Sequence, residues 1–129
     1  MTPLSYPDIE IYVLGHDLNA LRPWLNNHFK ITEENRKGNS VHLRLLNKDE
    51  SELTASVIEN AVKPGPYTSV WFKSENTPWQ NDQACADDAY DFLQAEIRCS
   101  NGSWQTNAGV NQPEWLMIDA KGATPVAWD

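Results

Sequence analysis

Hydrophobic positions recur along this chain with two different periods. Ile9, Ile11 and Val13 alternate with Glu10, Tyr12 and Leu14, which predicts a first strand. Both of its faces are largely apolar, so the strand should be central in its sheet. Gly15 ends it. Leu18, Leu21, Leu25 and Phe29, with Trp24 beside them, then return at spacings of three to four and predict a helix. Asp17 and Asn19 can both cap it. Asn19 is preferred because it leaves Pro23 near the first turn, where a missing N–H costs least.

Residues Thr32 to Asn39 are polar, contain Gly38 and read as a loop. Val41, Leu43 and Leu45 alternate with His42 and Arg44 as a second strand. Leu53 to Val62 reads as a third, and Tyr67 to Ser74 as a fourth after the turn at Lys63-Pro64-Gly65-Pro66. These three form an antiparallel meander. Val70 and Phe72 share one face of the last strand. Tyr67, Ser69, Trp71 and Lys73 share the other.

Thr77-Pro78-Trp79-Gln80 has the form of a helix start, with a capping threonine and proline at the first helical position. The helix it opens runs to about Ala95. Trp79, Cys85, Ala86, Ala89, Tyr90, Phe92 and Leu93 fall on one arc, and Asp87, Asp88 and Asp91 on the opposite one. Short strands at Ile97 to Ser100, Glu114 to Asp119 and Pro125 to Trp128 complete the chain, with a long polar loop from Ser103 to Pro113. The order β-α-β-β-β-α-β-β-β predicts an α+β two-layer sandwich, a mainly antiparallel sheet with both helices on one face. Residues 1–129 form one domain.

Composition narrows the function. The 129 residues carry 10 Lys and Arg against 18 Asp and Glu, a net charge of −8. That balance opposes generic nucleic-acid binding and adsorption to anionic lipid. The acidity is also local. Residues 1–74 hold 9 acids and 8 bases, while residues 75–129 hold 9 acids and 2 bases. No stretch approaches the ~20 apolar residues of a membrane span. With no basic, apolar leader at Met1 to Asp8, the expected location is the cytoplasm, where Cys85 and Cys99 stay reduced.

Asp87-Asp88-x-x-Asp91 matches the carboxylate spacing with which isoprenoid synthases hold magnesium and diphosphate. Those enzymes are large helical bundles with a second such motif, and neither feature is present, so the cluster reads as a solvated helix face. His16, His28 and His42 are scattered without metal-ligand spacing. No nucleophile elbow or phosphate loop occurs. No metal or cofactor is expected.

Six tryptophans are the unusual feature. Trp24 and Trp79 match the helical apolar stripes. Trp71 shares a strand face with Tyr67 and Lys73, and His42 and Arg44 join it if the second strand pairs alongside. Either the C-terminal segment, with Trp115 and Trp128, covers this face as a second small core, or the face is open.

The expected function is a non-catalytic protein-binding module. It resembles acidic inhibitors and toxin-neutralising immunity proteins in composition, with a basic protein as partner. Its contacts would come from Asp87, Asp88, Asp91, Tyr67, Trp71, Trp104 and Trp115. The alternative is a small-molecule or enzymatic site at His42, Arg44 and Lys73, or near His16. Exposed aromatics and the final edge strand could also support a homodimer.

Overall fold

A computed structural model describes residues 8–62, 66–74, 76–100 and 115–126. The elements are β1 (Ile9–Leu14), α1 (Leu18–His28), β2 (Phe29–Lys37), β3 (Ser40–Asn47), β4 (Glu52–Val62), β5 (Tyr67–Phe72), α2 (Asp82–Leu93), β6 (Ile97–Ser100), β7 (Trp115–Asp119) and β8 (Gly122–Val126). The eight strands form one sheet in the order β2-β3-β4-β5-β1-β6-β7-β8, antiparallel at every described pairing. Both helices pack on one face, so the α+β sandwich expected from the pattern is the fold. β1 is central, as its apolar faces require.

One element departs from the expected order. The polar stretch read as a loop is mostly a nine-residue strand, β2. Its pattern lacks alternation because it is an edge strand with six consecutive exposed residues after Ile31. Its backbone is held by β3, with a bulge between Ile31 and Glu33. Charged side chains and a bulge are common ways of protecting a sheet edge. Gly38 supplies the positive φ of 64° that turns β2 back into β3.

The register lines up the core in rows. Ile11 pairs with Val70 and Cys99, Val70 with Val57, and Val57 with Val41. A second row runs through Ile9, Phe72, Ala55 and Leu43. All are buried against Leu18, Leu21, Trp24 and Leu25 of α1 and Cys85, Ala86 and Ala89 of α2. Trp79 stacks on Trp24 at 5.5 Å and meets Phe72, Phe29 and His28 at 5.2, 5.9 and 5.1 Å.

The helix starts correct two expected caps. Asp17, not Asn19, caps α1 by accepting from Ala20 N–H at 2.9 Å. The earlier start places Pro23 inside the helix. Its exposed position keeps the lost backbone bond on the solvent side, while the buried stripe carries the helix. Glu59 adds a second cap, accepting from Leu18 N–H at 2.9 Å while Arg36 holds the same carboxylate at 2.9 and 3.0 Å. A register shift between Ile58 and Val62 of β4 surrounds Glu59. Arg36 and the Leu18 amide hold the Glu59 carboxyl below the usual range.

α2 starts at Asp82 with Asn81 as its cap, accepting from Ala84 N–H at 2.8 Å. Thr77 instead bonds the short turn at Trp79. That irregular entry delivers Trp79 to the aromatic cluster before the helix begins.

Asp88 is not part of a solvated acidic face. It lies on the flank of α2 that meets α1, accepting from Trp24 Nε1–H at 3.0 Å and facing His28 Nε2 at 2.5 Å. Asp87 and Asp91 remain exposed. Asp82 accepts from the backbone N–H of Glu10 at 3.2 Å, tying α2 to β1. Burial pushes its carboxyl up to about 6, the Glu10 amide opposes that, and the charges of Asp8 and Glu10 add to it.

Two outcomes follow. Asp88→Ala strands the Trp24 indole donor and should lower unfolding free energy by about 2–3 kcal/mol. Asp87→Ala and Asp91→Ala should each stay within about 0.5 kcal/mol; urea denaturation distinguishes them. Asp82 has a folded-state pKa above its unfolded value, so the folded state binds the extra proton and stability falls as pH rises from 3.8 to about 6. Asp82→Asn keeps an acceptor for Glu10 without the charge. It should raise the melting temperature at pH 7 by roughly 3–6 °C, about 1 kcal/mol after allowance for solvent screening, and the gain should vanish below pH ~4.

Candidate functional site

Both helices lie on the core face, and among the described residues no helix covers the opposite one. Period-two alternation sends a defined set of side chains there. β5 contributes Tyr67, Ser69 and Trp71, with Lys73 just beyond its end. β3 contributes His42 and Arg44. β4 contributes Thr54, Ser56 and Ile58. β1 contributes Glu10 and Tyr12, β6 Arg98, and β7 Trp115 and Met117. The register sets His42, Ser56 and Trp71 in one row, and Arg44 and Thr54 in the next. Lys73 N–H donates to Thr54 C=O at 2.9 Å and so continues that second row.

The half around β1 and β6 is internally bonded. Glu10 accepts from Tyr12 O–H at 3.2 Å and Ser69 O–H at 3.1 Å. Glu96 accepts from Tyr67 O–H and, at 3.0 Å, from Arg98 Nε–H. The Arg98 guanidinium lies 5.2 Å from the Tyr67 ring centre. Trp115 meets Tyr12 edge-on at 5.6 Å. Burial, reinforced by the Glu10 carboxylate, pushes the Tyr12 hydroxyl up to about 12. Burial and the bond to Glu96 do the same for Tyr67.

The half around β3, β4 and β5 is open. Trp71 is 37% exposed and Ile58 36%. Trp71 donates its indole N–H to Asp8 at 2.8 Å, and the Lys73 ammonium sits 4.9 Å from its ring centre. A concavity of about 260 Å³ lies beside them, lined by Glu33, Asn35, His42, Leu43, Arg44, Thr54 and Lys73. His42 Nδ1 lies 3.3 Å from the Ser56 hydroxyl. Arg22, Arg36 and Arg98 each hold a carboxylate at 2.7, 2.9 and 3.0 Å. Arg44 does not: its nearest described acid, Glu33, is 3.6 Å away.

No protein-family model, curated protein or solved structure matches this chain. The site is therefore built from its own residues.

The expected site residues divide clearly. His42, Arg44 and Lys73 converge on one concavity, with Trp71 at its rim. His16 lies apart, its Nδ1 3.0 Å from Leu14 C=O, in a separate hollow of about 570 Å³ shared with Asp17 and Glu59. Tyr67 faces the same side as Trp71 but is only 5% exposed. Trp115 is half-buried against Tyr12, and Trp104 and Trp128 lie outside the described residues. β7 and β8 extend the sheet sideways. As described, this C-terminal pair does not fold across the face as a second core. Asp88 is withdrawn from the acidic set by its bonds to α1.

The sequence reading missed the cluster of Trp24, His28, Asp88 and Trp79. Its one available signal was the spacing of Leu21, Trp24, Leu25 and His28, which puts His28 on the buried stripe. Among the described residues, no three His, Cys, Asp or Glu side chains gather where they could share a metal ion. None of the described helices is long and apolar enough to cross a membrane. Cys85 and Cys99 are free and buried, and burial pushes the Cys99 thiol up to about 12.

The two tyrosines give a direct check on the bonded half of the face. Tyr12 and Tyr67 should ionise near pH 12, well above the ordinary value of 10. Absorbance titration at ~295 nm of the wild type, Tyr12→Phe and Tyr67→Phe separates them. Both raised pKa values belong to the folded state, so stability should decline as pH rises from 10 towards 12.

Proposed function

We propose that this chain is a non-catalytic protein-binding module that meets its partner through the helix-free sheet face. The observation that carries the reading is the open half of that face. A half-exposed tryptophan stands there one strand row from an arginine whose nearest described carboxylate, Glu33, stays 3.6 Å away. Trp and Arg are the residue types that most often anchor protein interfaces, especially where neighbouring contacts exclude water. Thr54 and Ser56 lie between them, and Ile58 extends the surface on the far side of Trp71.

The concavity favours a protein over a small-molecule ligand. At about 260 Å³ it falls below the ~300–1,000 Å³ that usually encloses such a ligand. It is large enough to take one side chain. We place the partner in the cytoplasm on the chemistry of Cys85 and Cys99, two free thiols that a reducing compartment preserves.

A second reading uses α2. Asp87 and Asp91 stay exposed beside Phe92, which is 46% exposed. With the net charge of −8, that helix face suits a basic protein, as an acidic inhibitor would. It is the weaker surface, because Asp88 is committed to α1.

Site-specific photocrosslinking in cells separates the two. A photoreactive residue at Ile58 should capture one protein, and Trp71→Ala should abolish that adduct. The same residue at Gln83, on the outer face of α2, should capture nothing. An adduct from Gln83 alone supports the α2 reading, and an adduct with the mass of two chains makes the protein a homodimer. No adduct at Ile58 refutes the sheet-face reading.

A further inference from the structure

We infer that the partner presents an acidic segment, one of whose carboxylates seats between Arg44 and Lys73; this rests on the sheet-face reading above. The argument begins with Thr54. Arg44 is its cross-strand partner on β3, and the residue that bonds its carbonyl on the other side is Lys73. The two cations therefore straddle Thr54 from strands about 10 Å apart at the backbone, two strand spacings. Their side chains are long enough to converge on a carboxylate above its hydroxyl, with Asn35 and His42 completing the wall.

The donors there are unspent. The Arg44 guanidinium makes no hydrogen bond among the described residues, and Glu33 approaches it only to 3.6 Å with both side chains 53% exposed. Such a solvent-screened contact is worth little and can be exchanged. Lys73 rests on the Trp71 ring and faces no described acid within ion-pair distance. An incoming carboxylate would gain charge-assisted bonds from both groups, the stronger class of hydrogen bond. The overall charge of −8 does not oppose this, because at physiological salt charges beyond ~8 Å are largely screened. Trp71, whose ring carries Lys73, would take an apolar neighbour in the same segment.

The test is two-dimensional NMR titration of the full chain with a blocked Leu-Glu-Glu-Leu peptide, its Leu-Gln-Gln-Leu counterpart and inorganic phosphate. The acidic peptide should shift the Arg44 Nε–H, Thr54 amide and Trp71 indole signals, and added salt should weaken it. Arg44→Gln should reduce its affinity roughly tenfold, the loss expected for charge-assisted bonds. Lys73→Gln should act in the same direction with an unchanged spectrum elsewhere. Equal shifts with the glutamine peptide, shifts with phosphate alone, or none with any probe overturn the inference. Failure here with an intact Ile58 crosslink removes the acidic segment and leaves the sheet-face reading. Peptide binding without an Ile58 crosslink does the reverse.

Discussion

A single carboxylate joins the two helices of this fold. Asp88 takes the indole N–H of Trp24 and faces the imidazole of His28, so α1 and α2 are fixed to one another above the sheet. The indole could not be buried without that acceptor, because an unpaired N–H in the core forfeits its hydration. With Trp24 in place, Trp79 stacks on it and Phe72 and Phe29 close the cluster. The helix layer then occupies one face of the sheet as a unit. Among the described residues, that leaves the opposite face without helical cover.

The two faces solve different problems with the same strands. On the core face, rows such as Ile11, Val70, Val57 and Val41 bury apolar area, the main source of stability. On the other face, the half around β1 and β6 is closed by polar bonding, with Glu10 and Glu96 each accepting from a tyrosine. Beyond it, towards β3, the bonding runs out. Arg44 meets Glu33 only at 3.6 Å, Lys73 has no acid within ion-pair distance among the described residues, and Trp71 is partly in water. The contrast between a satisfied half and an unsatisfied half locates the candidate site better than any motif does.

Acidic groups in this chain also do more structural work than their number suggests. Asp17 and Glu59 cap α1, Asp82 ties α2 to the central strand, and Asp88 bridges the helices. Four of the 18 acids are thus engaged in holding elements together. The net charge is a poor guide to which surface binds, and the local balance at each strand row matters more.

The alternation of Ile9, Ile11 and Val13, the stripe of Leu18, Leu21 and Leu25, and the meander from Val41 to Lys73 were enough to determine the sandwich and the helices' shared face. Local periodicity encodes which side of an element is buried, and burial dictates the layers. It put Trp71 on one face with Lys73, and His42 and Arg44 on that face only if the second strand paired alongside; the structure brings them there through β4, which lies between the two strands. Only the tertiary structure decided the rest. β2 is held by pairing with β3 and is invisible to a pattern that measures burial. The true helix caps depend on where Trp79 and Glu59 must reach. Asp88 sits on a helix flank whose environment is set by another helix. How closely each charge is paired is likewise a property of neighbours brought together by folding, and it separates Arg44, with Glu33 at 3.6 Å, from the other three arginines.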